Sequence, residues 1–384
     1  MADEISVLVV DDSALMRGLI SRMIEATPGL TVAERALDGK FALDKIPRVK
    51  PDIIVLDLEM PRMDGIQFLR ERKRLGIDIP VVVLSAIADK SAKITMEALA
   101  LGACDFIHKP TGSIDNELNS IKDSLVSMLL GYGGKYRRSQ GKQVLPVDYT
   151  KSQTVVAKNY PIPGYVPPPI PKPLFKEPTV LEKKIIPLRN PARTEIIAIG
   201  ISTGGPDSLR LVFSQLDKDL TVPIVVVQHM PPGFTLEFAR SLDRICPLEV
   251  KEAEEGDLIK SGRILIAQGN KHLEVDKRSL ATTVHLSDAP QVSGHRPSAD
   301  VLFESVAKTY GNRALGVIMT GMGRDGAQNL GLIYREGGIT IGQDEASSIV
   351  YGMPRVAFEL GHVMEQVPLD RMAARICALA KENR

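Results

Sequence analysis

With 384 residues, 44% of them hydrophobic and 25% charged, the chain has ordinary globular composition and enough length for two separate cores. Its three cysteines, Cys104, Cys246 and Cys377, are odd in number and far apart, which excludes a disulfide framework or a paired-cysteine zinc site and fits a reducing cytoplasm. Net charge is +1, but residues 131–194 carry 12 Lys/Arg against 3 Asp/Glu, so the remainder sums to −8 and lacks the cationic footprint of nucleic-acid binding.

The start of the chain is acidic at Asp3 and Glu4, and its apolar run Val7–Val10 is too short for a signal peptide. No long uncharged run is present, so neither export nor membrane insertion is expected. Residues 1 to about 130 alternate short aliphatic runs with amphipathic stretches. Val7–Val10, Thr31–Glu34, Ile53–Leu56, Pro80–Leu84 and Cys104–Ile107 read as strands, with helical pattern between them. Five such units imply a parallel sheet covered on both faces. Over 131–194 the periodicity vanishes, and the segment from Tyr160 to Pro173 is dense in proline, as in an extended linker that serves as a spacer. After Glu195 the alternation resumes, with strands near Ile196–Ile199, Ile224–Gln228, Arg263–Ala267, Leu315–Met319 and Ile339–Ile341 and a β-hairpin around His272 to Leu286. This predicts a second α/β domain over 195–384.

In open α/β sheets the functional site lies at the carboxyl ends of the strands, so the residues that end each strand are informative. In the first domain these are Asp11 and Asp12, Asp57, Ser85, and Lys109 before Pro110. Three converging carboxylates repel unless a divalent cation joins them, and hard oxygen ligands with room for water suit Mg²⁺. A carboxylate beside Mg²⁺ can attack a phosphoryl group and carry it as an acyl phosphate. Lys109 would neutralise the phosphoryl oxygens and Ser85 would hydrogen-bond one of them. With these residues in order, the segment resembles the receiver domain of bacterial response regulators over residues 5–130. The resemblance implies a flavodoxin-like fold, phosphorylation of Asp57, Mg²⁺ held by Asp12 and Asp57 with Asp11 nearby, and a switch of Ser85, Phe106 and Lys109. Asp57-Leu-Glu-Met-Pro61 with Asp64-Gly65 matches the family's phosphorylation loop. Position 106 is Phe where many receivers have Tyr or Phe, so no hydroxyl reports the switch.

The second domain opens with a strand running into Gly200-Ile-Ser-Thr-Gly-Gly-Pro206 and then a helical stretch. Glycines there permit a sharp strand-to-helix turn that exposes the Ser202 hydroxyl at a helix N-terminus. A later strand ends in His229-Met-Pro-Pro-Gly233, and another in Thr320-Gly-Met-Gly-Arg-Asp-Gly326. A serine, a histidine and an aspartate thus converge on one sheet edge, as serine acyl transfer requires: Ser202 attacks, His229 moves the proton, Asp325 orients the imidazole. The chain order Ser, His, Asp differs from the α/β-hydrolase order, which argues against lipase membership. His295, in the polar loop Ser293–Asp300, is the rival base; His229 is preferred because a position ending a strand is preorganised. The other histidines, His108, His272, His285 and His362, read as structural.

Together these segments look like the catalytic domain of the chemotaxis protein-glutamate methylesterases. The resemblance spans 1–130 and about 195–384 and implies a doubly wound α/β hydrolytic domain without its own cofactor. It carries over Ser202, His229 and Asp325 as the triad and a backbone donor near Met322 as the oxyanion-hole candidate. It implies hydrolysis of glutamate methyl esters on chemoreceptors and, in many members, deamidation of receptor glutamines. Its partners would be a histidine kinase as phosphodonor and methylated receptors, with peripheral association at receptor arrays. The unphosphorylated receiver would sit over the triad and restrict access. Two other readings stay open from the residues: a regulator with a non-catalytic DNA- or protein-binding output, disfavoured by the size of the output region, and the same triad acting on a small ester, thioester or peptide.

Overall fold

The computed structural model describes residues 4–86, 89–109, 115–144 and 187–382. The proline-dense segment expected as a spacer lies outside the described residues. The first sheet is built from β1 (Ile5–Val10), β2 (Leu30–Ala36), β3 (Ile53–Asp57), β4 (Val81–Ser85) and β5 (Asp105–His108), all parallel in the order β2-β1-β3-β4-β5. Helices α1 (Ala14–Glu25), α2 (Gly39–Val49), α3 (Gly65–Arg74), α4 (Asp89–Ala100) and α5 (Asp115–Met128) connect and follow them. Every residue of β3 and β4 is buried, which is why these strands read as continuous aliphatic runs instead of alternating ones.

The chain stays helical beyond residue 130, where the sequence pattern had faded. Five π-helical residues, Leu129–Gly133, lead into α6 (Gly134–Ser139). Three glycines in this stretch hide the periodicity but allow close approach: a Cβ on Gly131 would lie 2.4 Å from the Ile349 carbonyl oxygen of the second domain. The extension is clamped from below. Asp52, fully buried, accepts hydrogen bonds from the Ser6 backbone and hydroxyl at 2.9 and 2.8 Å, from Arg137 at 2.9 Å and from Lys142 at 3.1 Å.

The second sheet has seven parallel strands in the order β14-β13-β12-β6-β7-β9-β8. They are β6 (Ile196–Ile201), β7 (Ile224–Gln228), β8 (Glu249–Glu252), β9 (Arg263–Ile266), β12 (Ala314–Ile318), β13 (Ile339–Gln343) and β14 (Glu365–Val367). The expected hairpin forms β10 (His272–Lys277) and β11 (Thr282–Ser287), a separate antiparallel pair. Helices α7 (Gly205–Ser214), α8 (Phe234–Asp243), α9 (Ala299–Tyr310), α10 (Leu330–Arg335), α11 (Met353–Glu359) and α12 (Leu369–Lys381) complete the domain. The strand order reverses at β6, since β7 lies to one side and β12 to the other. That is the switch point at which an open α/β sheet opens a crevice. Among the described residues no helix is long and apolar enough to cross a membrane.

Burial would raise the Asp52 carboxyl, yet its Ser6, Arg137 and Lys142 partners outweigh this and hold it below the usual range. Asp52→Ala leaves Arg137 buried without its carboxylate and should cost about 3–5 kcal/mol. The urea midpoint of the first domain, read with the disulfide-free protein at neutral pH, checks this. A loss under about 1 kcal/mol would mean that α6 is not clamped through this pair.

Candidate active site

Ser202 follows β6 directly. Its N–H donates to the Thr320 carbonyl at 3.0 Å, and the chain then turns through Gly204, at φ +82°, into α7. A side chain at Gly204 would face both a left-handed backbone and the Ile349 side chain 2.8 Å away. His229 follows β7 directly, and Asp325 lies on the loop after β12. The three side chains form one relay: His229 Nδ1 is 2.9 Å from Ser202 Oγ, and His229 Nε2 is 2.7 Å from Asp325 Oδ2. Strand order explains which nitrogen faces which partner. Ser202 stands on the strand next to that of His229, within reach of the near nitrogen Nδ1. Asp325 follows β12, two strands from β7 or roughly 10 Å at ordinary spacing, and only the far nitrogen Nε2 extends to it. With Nε2–H directed at the Asp325 carboxylate, Nδ1 is left as the nitrogen that can accept a hydrogen bond from the Ser202 hydroxyl.

Asp325 is buried, at 1% exposure, and surrounded by donors. Ser298 Oγ donates to Oδ1 at 2.6 Å, the Ala299 N–H to Oδ2 at 2.7 Å and the Asp300 N–H to Oδ1 at 3.3 Å. The carboxylate thus occupies the N-terminus of α9, where free N–H groups favour negative charge. Burial alone would raise its carboxyl, but the bonds from His229, Ser298 and Ala299 hold it down to about 2. Asp300, beside it, is pushed up by burial and by the Asp325 charge.

The rival histidine is close but not bonded to Ser202. His295 lies flat on His229, with ring centroids 3.7 Å apart and planes 9° from parallel. The Met322 N–H forms no hydrogen bond within the described residues, as an oxyanion donor must not in the resting site, and it follows Gly321, where a Cβ would meet that of Ser202 at 2.8 Å. Met322 Sδ accepts from Ser127 Oγ of α5 at 3.6 Å, so this loop also touches the first domain. His272 and His362 bond to the carbonyls of Pro290 and Ala327, and His285 pairs with Glu255, consistent with structural roles.

The acidic cluster of the first domain assembles as expected. Ligand oxygens of Asp11, Asp12 and Asp57 lie within 4.8 Å of one another. Asp11 Oδ2 and Asp57 Oδ2 are buried and paired with the Lys109 ammonium at 3.2 and 2.7 Å. Three clustered carboxylates that face one ammonium, with Asp12 exposed, suit a small divalent cation. Burial raises the Asp57 carboxyl despite the pull of Lys109. Beside it a small cavity is lined by Asp57, Glu59, Ser85, Ser91 and Lys109. Ser85 Oγ shares a 2.7 Å hydrogen bond with Thr95, which sequence reading did not anticipate.

The two sites meet through β5. Phe106 stacks on Phe234 of the second domain at 5.3 Å, and His108 packs edge-on against the same ring at 4.6 Å. Asp105 accepts the Gly204 N–H at 2.7 Å, behind the Ser202 turn, and is pushed up to about 7 by burial despite that bond. Ser298, Asp105 and Phe234 were all missed from sequence. Only Ser298 carried a signal, as a capping-type residue ahead of a helical stretch.

Comparison with known proteins places these features in context. A family model described as CheB methylesterase matches residues 197–376, and one described as response regulator receiver domain matches residues 7–119. A protein-glutamate methylesterase/protein-glutamine glutaminase of Treponema denticola is 58% identical over 380 residues, covering 99% of each chain. One of Treponema pallidum is 51% identical over 392 residues, covering 97% of this chain and 96% of the other. A solved Thermotoga maritima CheB methylesterase catalytic domain is 36% identical, covering 48% of this chain and 98% of its own, with a TM-score of 0.48.

The Ser298 hydroxyl bonds to a charged acceptor, a contact worth about 1.5–3 kcal/mol. Ser298→Ala should lower kcat for ester hydrolysis by roughly ten- to a hundredfold with little change in KM. Steady-state kinetics on a methylated glutamate substrate decides it; an unchanged kcat would show that the α9 N–H groups suffice.

Proposed function

The chain belongs to the protein-glutamate methylesterase/protein-glutamine glutaminase family, and from that membership we propose a serine-hydrolase mechanism on chemoreceptors, gated by phosphorylation of Asp57. It is a carboxylic ester hydrolase joined to a receiver domain. The observation that carries the mechanism is the unbroken relay from Ser202 Oγ through His229 to Asp325. Ser202 Oγ attacks the glutamyl ester carbonyl while His229 Nδ1 takes its proton, and Asp325 stabilises the imidazolium. The oxyanion is received by the Met322 N–H. The C–O bond then breaks, and methanol leaves with the proton returned by His229. Water, activated by the same imidazole, attacks the acyl-enzyme and restores Ser202. With a glutamine side chain the C–N bond breaks and ammonia leaves, so deamidation follows the same path.

In the receiver, taken as residues 1–130 ahead of a catalytic domain at 195–384, Asp57 is the phosphoacceptor and a histidine kinase the donor. Asp11, Asp12 and Asp57 would hold Mg²⁺, which supplies charge neutralisation for phosphoryl oxygens. Lys109 and Ser85 line the cavity beside Asp57 and bind those oxygens. Gating is supported by the contacts of Asp105 with Gly204, of Phe106 with Phe234 and of Ser127 with Met322, which set the receiver against the nucleophile turn and the Met322 loop. A new charge beside Lys109 and Ser85 repacks Phe106 and shifts the balance toward an open form, which takes only a few kcal/mol. The site is cytoplasmic, and association with receptor arrays is peripheral.

Ser202→Ala and His229→Ala should each remove nearly all methanol release from methylated receptor membranes, and Asp325→Asn should cost on the order of 10⁴-fold, by analogy with serine proteases. Substantial activity in either of the first two would sink the triad. With Mg²⁺ and an acyl-phosphate donor, the intact chain should be labelled and its turnover of receptor raised, while Asp57→Asn should show neither effect. Labelling of the Asp57→Asn protein would move the acceptor elsewhere, and equal turnover with and without label would overturn the gating.

A further inference from the structure

His295 takes no part in the relay, yet it is held against it with care. Ser293 and Gly294, at φ +54° and +81°, form a tight turn closed by two backbone bonds between Val292 and His295, at 3.1 and 2.9 Å. On the other side Arg296 is fixed by Asn270 Oδ1 at 2.8 Å and by the Asp288 carbonyl at 2.7 Å. Two residues further on, Ser298 caps α9 and bonds to Asp325. The backbone that carries His295 is thus pinned before and after it, and one of its anchors is the acid of the relay itself. This fixes the position from which the His295 ring reaches the face of His229.

A parallel stack at 3.7 Å is a specific arrangement. Two charged imidazoles would repel face to face, so one of the pair must be neutral. Burial, with the nearby His229 second, pushes the His295 ring down to about 4, against the pull of Asp325. His295 is therefore the neutral member, and His229 is free to take the proton. A flat neutral ring over His229 does two things. It stops rotation of the His229 ring out of the plane in which Nδ1 meets Ser202 and Nε2 meets Asp325. It also offers a π-face to the imidazolium that forms in each half-reaction. Its own nitrogens make no hydrogen bond to Ser202 or Asp325, so it has no route into the proton transfer.

We propose that His295 is a positioning residue of the hydrolytic site: a neutral imidazole laid on His229 that fixes the plane of the base and faces its cationic form. The proposal deepens the Ser202–His229–Asp325 reading and rests on it. It assigns His295 an action through His229, with no contact to substrate and no proton of its own to give. The ring matters for its shape and neutrality, so another flat uncharged ring can stand in for it.

The test uses the full-length chain, at one phosphorylation state throughout, with methanol release from methylated receptor membranes as the assay. His295→Ala should lower kcat about tenfold or more and leave KM within about twofold, since only the alignment of the base is lost. His295→Phe should recover most of that loss. If His295→Ala keeps full kcat, or loses activity through KM alone, the proposal is overturned. It is equally overturned if His295→Phe is as inactive as His229→Ala, because the ring nitrogens would then be needed for chemistry. Ser202→Ala and His229→Ala run beside these variants, and activity in either would break the underlying triad whatever the His295 series shows. Thermal unfolding of His295→Ala and His295→Phe, followed by circular dichroism, separates a loss of fold from a loss of alignment.

Discussion

A carboxylate taken out of water must be surrounded by donors or take up a proton, and Asp325 meets this condition by gathering four donors from two separate parts of the chain. His229 comes from the end of β7, Ser298 from the loop before α9, and two N–H groups from the first turn of α9. The loop after β12, the 293–298 loop and the crevice at β6 are consequently one construction. The apolar face of α9 packs Ala299, Leu302 and Phe303 into the core, and the buried charge gives its N-terminal N–H groups their partner. The same gathering keeps the acid ionised while its neighbour Asp300 is pushed the other way, a separation of two adjacent carboxylates of the kind found where a site assigns them different work.

Strand β5 shows how the period of two along a strand joins two domains. Phe106 and His108 share one side and meet Phe234 beneath the His229 loop, while Ile107 faces the opposite core. Immediately beyond them, Lys109 reaches Asp57 and Asp11. Four consecutive residues thus run from the domain contact to the acidic cluster, with no intervening element. His108 is half-buried with both ring nitrogens out of solvent and unbonded, and burial lowers it to about 4, so it behaves here as an aromatic spacer.

The parts of this architecture that were legible in the sequence are those written by local physics. Buried parallel strands such as β3, β6 and β7 announce themselves as aliphatic runs, and their ends mark Asp57, Ser202 and His229. Strand limits drift by a residue or two, as at β1, β4 and β12. The edge strands β8 and β14 escaped notice because they are short and polar, β8 carrying Glu and Lys and β14 Glu and Gln, as edges do. Asp105 and Phe234 could not be found, since each matters only through a partner more than 90 residues away. The helix past residue 130 was hidden by its glycines, of which Gly131 is demanded by packing against Ile349 and Gly133 by packing against Ile5. His295 was seen as a polar loop residue near the site, but a face-to-face stack has no spacing rule to reveal it.

The imidazole of His229 presents its near nitrogen to the serine and its far nitrogen to the aspartate, the reverse of the arrangement in the serine proteases, where Nε2 meets the hydroxyl. Neighbouring strands dictate this, because a base standing beside its nucleophile has no room to turn its distal end inward. A half-turn of the ring about its Cβ–Cγ bond would put carbon where each nitrogen now stands and break both contacts at once, so the whole line from Ser202 to Asp325 hangs on a single torsion angle.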